Sequence, residues 1–252
     1  MRSHVVTGGG GGVGQAIVER LLAVGDAVVI LDRPLDDDEP DDVPAVAEIK
    51  PGRELWMAGD ATDPETCERA ALLAETLAPL GGWVNCAAIF DDRFLHEDER
   101  TALGIIGVNL ALATAGCAAA VSAFRAAGTG GSIVNVSSHQ AQRPVPGALP
   151  YAVAKAALEG LTRAVAVDYG LDGIRCNAVA LGSIVTPRFD EGQRPELDRV
   201  HALGRVGTPQ EAAEVIAFLL GPASSLVTGA VIPVDGGRSI LGIDPESHRP
   251  IS

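Results

Sequence analysis

The run Thr7-Gly8-Gly9-Gly10-Gly11-Gly12-Val13-Gly14 decides how this chain is read. It follows the β-branched stretch His4–Thr7 and leads into Val13–Val24, whose pattern predicts a helix. Glycine suits such a turn because a side chain would collide with a pyrophosphate resting on the helix N-terminus. Free N–H groups and the helix dipole favour an anion there. A polyglycine run alone is also compatible with a flexible turn, but its place between strand and helix favours the nucleotide reading. The next strand supplies the check. Asp32 closes Val28-Val29-Ile30-Leu31, 18 residues beyond Gly14. An acid there accepts hydrogen bonds from adenosine ribose hydroxyls and repels a 2′-phosphate, so NAD(H) is expected over NADP(H). Arg33 pulls the other way, since an arginine can pair with that phosphate. The acidic run Asp36–Asp42 (DDDEPDD) outweighs it locally and is otherwise expected to form a solvated loop.

Outward from this turn, short apolar runs alternate with helix-length segments. Strands are expected at His4–Thr7, Ala27–Leu31, Glu54–Ala58, Trp83–Cys86, Ser132–Val136, Ile174–Val179 and Ala230–Val234. Helices are expected at Val13–Val24, Pro64–Leu77, Glu97–Ala126, Tyr151–Tyr169 and Pro209–Leu220. The alternation implies a parallel sheet covered on both faces, and runs such as VVI and IVNV are continuous, as doubly buried strands should be. The expected fold is α/β, a doubly wound, mostly parallel seven-stranded sheet flanked by helices in a single domain spanning residues 1–252. Thr208-Pro209-Gln210-Glu211 writes out one helix start, with a cap, a first-position proline and an acid three residues on; Gly221-Pro222 stops that helix.

Composition narrows the function. A net charge of −14 repels nucleic acid and anionic membrane surfaces, so neither is an expected partner. No stretch reads as a membrane span and no signal peptide is visible. Cys67, Cys86, Cys117 and Cys176 are scattered without metal-ligand spacing. They read as reduced core thiols of a cytoplasmic protein, and no metal site is expected. Aromatic residues make up 4% of the chain, so Ala, Val, Leu and Ile must build the core.

The ordered pieces TGGGGGVG (7–14), Asp32, Gly59-Asp60-Ala61, NCAA (85–88), Val108-Asn109, VNVSS (134–138), YAVAK (151–155), GIRCNAVALGSIVTP (173–187) and TGAVIPVDGG (228–237) resemble the short-chain dehydrogenase/reductase family. The likeness is to its short, single-domain branch and runs from Val5 to about Gly237. It implies a Rossmann fold and a catalytic set of Asn109, Ser138, Tyr151 and Lys155. Ser138, rather than Ser137, would bond the substrate oxygen, and Asn109 would hold a water beside the lysine. The cofactor would lie along Gly8, Gly12, Val13, Gly14, Asp32 and Arg33. Asp60 and Ala61 would touch the adenine, Asn85 and Ala87 the adenosine side of the cleft, and Ile184 and Thr186 the carboxamide. Tyr151 and Lys155 would also face the cofactor, the lysine through the nicotinamide ribose hydroxyls. A homotetramer or homodimer is implied, built through Glu97–Ala126, Tyr151–Tyr169 and the last strand, with Ala152, Ala156, Ala157 and Gly160 allowing close helix approach.

Elementary chemistry agrees with this set. Tyr151 and Lys155 lie one helical turn apart on one face. An ammonium about 4 Å from the phenol contributes on the order of 4 kcal/mol at an effective dielectric of ~20. That is roughly three pKa units, enough to bring a tyrosinate within reach near neutrality. Such a pair takes a proton from an alcohol or returns it to a developing alkoxide.

Two departures from the family pattern stand out. Cys86 and Ala88 occupy positions of Asn-Asn-Ala-Gly, and Leu181 replaces a proline, with weaker cofactor affinity and a looser loop before Thr186 as the expectations. The substrate-loop segment 187–203 is short and polar, and 238–252 is a C-terminal tail. The expected substrate is therefore a small to medium polar alcohol or carbonyl compound. His139–Leu149 and Phe90–Phe94 would wall the pocket. Arg143 and Arg188 are candidates for meeting a carboxylate, although exposed arginines are usually solvated. Two alternatives remain open: a non-catalytic NAD(H)-binding sensor or scaffold, for which a proton relay is superfluous, and an epimerase or dehydratase, which normally carries a larger C-terminal domain.

Overall fold

The computed structural model describes residues 1–33 and 46–242, so the acidic run Asp36–Asp42 and most of the tail lie outside the described residues. Its strands are β1 (Ser3–Thr7), β2 (Ala27–Asp32), β3 (Val46–Lys50), β4 (Glu54–Ala58), β5 (Leu80–Asn85), β6 (Gly131–Ser138), β7 (Ile174–Leu181) and β8 (Val231–Val234). Six α-helices connect them among the described residues: α1 (Gly12–Ala23), α2 (Pro64–Leu77), α3 (Glu99–Ala127), α4 (Leu149–Tyr169), α5 (Arg194–Arg199) and α6 (Pro209–Leu220). The strands form one sheet in the order β3-β4-β2-β1-β5-β6-β7-β8. Every neighbouring pair is parallel except β3 with β4.

The sheet thus has eight strands where seven were expected. The addition is an antiparallel edge strand, joined to β4 by a turn in which Gly52 takes a φ of 68°. Pro51-Gly52 is a turn signal between two short runs, and reading Asp36–Asp42 as one long surface loop hid it.

Burial explains the continuous apolar strands: every residue of β1 is buried, and so are the first five of β2. On one face Trp83, Leu112, Phe124 and Ile133 pack among α2, α3 and α4. On the other, Ile17, Leu21, Ile216 and Leu219 pack under α1 and α6. α3 corrects one expectation, because by length and composition it could cross a membrane. Here it is a core helix, packed on α2, α4 and β5 with 12 of its residues buried.

Helix ends follow the sequence closely. Thr208 and Glu211 form the reciprocal cap of α6, with Pro209 in the first turn. Asp63 caps α2 through the Glu65 and Thr66 amides. α1 differs: its N-cap is Gly11, no side chain caps it, and no acid lies in its first turn.

Candidate active site

The strands of the parallel region all point their C-terminal ends the same way, and the sites predicted from the sequence gather there. The glycine turn lies at the end of β1. Gly8 has a φ of 68°, and a Cβ on it would come within 2.8 Å of the Ala87 backbone. A Cβ on Gly12 would meet Thr186 at 2.9 Å, and one on Gly10 would strike the Trp56 ring at 2.5 Å. Gly11 faces open space. Close walls, an open centre and an uncapped helix start make a cradle that fits a pyrophosphate. Asp32 ends β2 beside it and accepts the Gly10 N–H at 2.9 Å through Oδ2. Its Oδ1 accepts the Arg33 N–H at 2.8 Å, leaving lone pairs on both oxygens for ribose hydroxyls. The Arg33 side chain is exposed. Val13 is half-buried against the α1–α6 core, and Gly14 lies so close to Gly8 that a Cβ would come within 2.0 Å of the Gly8 carbonyl.

The segment after β7 closes over this turn. Ile184 bridges to Gly207, and Val185 N–H donates to the Gly207 carbonyl at 3.0 Å. Ser183 N–H donates to His201 Nε2 at 3.3 Å. Leu181 is buried in register with both Ser138 and Val234. These bonds hold the approach to Thr186 in place of the proline, contrary to the expected looser loop. Ala88 is likewise unstrained: no described residue other than glycine has a positive φ.

Across the cleft, β6 ends in two serines that face opposite ways. Ser137 Oγ donates to the buried Glu159 Oε1 at 3.0 Å. Ser138 hydrogen-bonds with the Tyr151 phenol and accepts the Gln140 N–H at 3.2 Å. Lys155 Nζ lies over the Tyr151 ring, 5.3 Å from its centroid, and donates to the Val136 carbonyl at 2.7 Å. Phe90 packs against the other ring contact of Tyr151, with centroids 4.8 Å apart, and Arg188 stacks on Phe90 at 5.2 Å.

The electrostatics correct the expected tyrosinate. Burial pushes the Tyr151 phenol above its ordinary value, against the opposing Ser138 hydrogen bond. Burial also lowers the Lys155 ammonium to about 8, with nearby Cys86 acting to raise it. Burial favours the neutral form of both groups, so in the protein without cofactor the phenol keeps its proton. The Cys86 thiol, pushed up by burial to about 11, is an inert neighbour.

Four of the predicted contact residues are hydrogen-bonded elsewhere in the fold. The Asn85 side chain points into the core, accepting from Trp83 Nε1 at 2.8 Å and donating to Asn135 Oδ1 at 2.8 Å. Asn109 spends its amide on backbone: Oδ1 accepts the Ile89 N–H at 3.1 Å, and Nδ2 donates to the Ile89 and Ile105 carbonyls. Its side chain therefore clamps the segment that carries Phe90. Ala61 is buried in the α2 core and its carbonyl accepts the Cys67 thiol, while Asp60 Oδ1 is bonded to Thr62. Phe90 was expected as a pocket wall, whereas Trp56 and His201 went unnoticed in the sequence; a tryptophan beside an acid-terminated strand was the one available signal.

The comparisons agree with this geometry. The family profile described as enoyl-(acyl carrier protein) reductase matches residues 9–239. The short-chain reductase protein NovJ of Streptomyces niveus is 36% identical over 248 residues, covering 93% of this chain and 92% of that protein. A 2,5-dichloro-2,5-cyclohexadiene-1,4-diol dehydrogenase of Sphingobium indicum is 35% identical, covering 95% and 98%. Among solved structures, the ligand-free aldohexose dehydrogenase of Thermoplasma acidophilum superposes with a TM-score of 0.83 at 29% identity, covering 99% of this chain and 97% of that one. The chain belongs to the short-chain dehydrogenase/reductase family.

Proposed function

We propose that this protein moves a hydride between NAD(H) and a secondary alcohol or ketone of small to medium polar type. The observation that carries the reading is the meeting of Ser138, Tyr151 and Lys155 beside the glycine cradle. The nicotinamide, when bound, supplies or accepts the hydride. In reduction, Ser138 hydrogen-bonds the carbonyl oxygen and Tyr151 gives it a proton. The buried Lys155 ammonium then stabilises the phenolate left behind. In oxidation the same groups act in reverse, and the raised phenol pKa makes that direction the more demanding near neutrality. Gly8, Gly12, Val13 and Gly14 would hold the pyrophosphate, Asp32 the adenosine ribose, and Ile184 and Thr186 the carboxamide. Asn109 would act by positioning the Ile89–Phe90 wall.

Asp32 supports NAD(H) over NADP(H), with the exposed Arg33 beside it as the opposing feature. The test compares NAD and NADP turnover in the wild type and in Asp32→Ala. The variant should shift the kcat/KM ratio toward NADP by at least about tenfold. An unchanged ratio would refute the role given to Asp32. A dimer or tetramer through α3 and α4 is part of this reading, supported by the exposed Leu103, Val153 and Val167 on those helices. So is a cytoplasmic setting, supported by four free cysteines.

A further inference from the structure

Immediately beyond Ser138 lies a cavity of about 160 Å³, lined by His139, Arg143, Val145, Val200, Arg238 and Leu241 among others. It shares its walls with the reaction centre: His139 is the residue after Ser138, and Arg238 donates to the Ser183 hydroxyl, next to Ile184. Its polar lining is cationic. Arg143 donates to the carbonyls of Arg238, at 3.1 Å, and of Leu241.

Neither Arg143 nor Arg238 meets a carboxylate within ion-pair distance among the described residues. Arg20, Arg93, Arg125, Arg194 and Arg205 all do. The nearby acid, Asp235, is engaged by the Gly237 and Ser239 N–H groups at 2.9 and 2.8 Å. His139 is 6% exposed, and its Nδ1 has no hydrogen-bond partner. Burial, and then the charge of Arg143, push Arg238 below its ordinary value, while the Asp235 carboxylate acts to raise it. An unpartnered buried imidazole nitrogen and two guanidinium groups without an ion pair around one cavity form a lining that one anion would satisfy. A cavity of ~150 Å³ accommodates a group the size of benzene.

We propose that this cavity is the anion subsite of the substrate pocket, and that the substrate carries a carboxylate a few bonds from its reacting carbon. Arg143 and Arg238 would bind the carboxylate oxygens, His139 would donate to one of them, and Val145 and Val200 would pack on the adjoining carbons. The proposal deepens the hydride-transfer reading and rests on it for the word substrate, but the anion site itself can be tested without turnover.

The first measurement is calorimetric titration of the full chain with benzoate, its uncharged analogue benzamide, and inorganic phosphate. Benzoate should bind at least about tenfold more tightly than benzamide, and Arg143→Gln should remove that preference. Arg143 is exposed, so this variant should fold, which circular dichroism checks. Arg143→Lys should restore part of the preference. Equal binding of benzoate and benzamide, or a preference unchanged in Arg143→Gln, overturns the subsite. Phosphate binding more tightly than benzoate overturns its assignment to a carboxylate. The second measurement is kcat/KM for matched keto acids and their methyl esters. The acid-to-ester ratio should exceed about ten and fall by a similar factor in Arg143→Gln. A ratio near one in the wild type overturns the proposal. Benzoate selectivity with no turnover of acid or ester would instead remove the hydride-transfer reading and leave the anion site standing.

Discussion

Tyr151 and Lys155 share one buried turn of helix, and their environment sets the pH behaviour of the reaction. Lys155 titrates near 8, well below a free lysine, because burial disfavours its charge. Ketone reduction should therefore hold steady below about pH 7 and decline as pH rises through 8, when the ammonium beside the phenol is lost. A pH profile of kcat that stays flat to pH 10 would contradict this role. The two residues were legible in the sequence through the ordered family motifs around them, but the sign of the tyrosine shift was not. It depends on desolvation, which no spacing reveals. The same limit explains Asn85 and Asn109. A polar residue at a strand or helix position reads as a ligand contact, and only the phase of β5 against α3 shows that Asn85 turns into the core. Ser138 was separable from Ser137 by resemblance alone, and the two hydroxyls face opposite sides of the strand.

At the level of elements, the glycine turn, the start of α1 and the segment after β7 form one unit. Gly12 is where the turn meets the segment after β7, because a Cβ there would come within 2.9 Å of Thr186. Gly12→Val should weaken NADH binding by at least about tenfold, read by fluorescence titration, with far-UV circular dichroism little changed. Binding within twofold of wild type would mean that the cradle is not where the cofactor lies. The long elements and their caps could be read because glycine, proline and the Thr208–Glu211 box are local signals. β3 and α5 could not. A short edge strand takes its stability from pairing with β4, and α5 is a single polar turn and a half without an apolar stripe.

Across the whole molecule, buried histidines tie stability to pH. Burial lowers His4 below its ordinary 6.5, against the pull of Asp26, and lowers His139 to about 4. Both are favoured as neutral rings in the fold, so below pH 6.5 the unfolded chain binds more protons and stability falls as the solution is acidified. Asp26 adds a second limb. Burial raises its pKa, but hydrogen bonds from His4 and Arg2 outweigh this and bring it to about 2 from 3.8. Its contribution is therefore present above pH 3.8 and lost on the way down to 2. Denaturant midpoints should decrease steadily from pH 7 to 5, and His4→Gln should flatten part of that slope. Midpoints independent of pH over this range would contradict the assignment. None of this was visible in the sequence, because His4 sits 22 residues from the aspartate it contacts. Arg143 was a carboxylate candidate in the sequence and His139–Leu149 an expected wall, but their meeting with Arg238 appears only in the fold.

The central claim is hydride transfer with Tyr151 as the proton donor. The most direct test follows the absorbance of reduced nicotinamide during reduction of a panel of small ketones and keto acids by the wild type and Tyr151→Phe. The account predicts wild-type turnover with NADH, a loss of about 10²–10⁴-fold in kcat for the variant, and NADH binding within a few-fold of wild type. Undiminished turnover by Tyr151→Phe would contradict it.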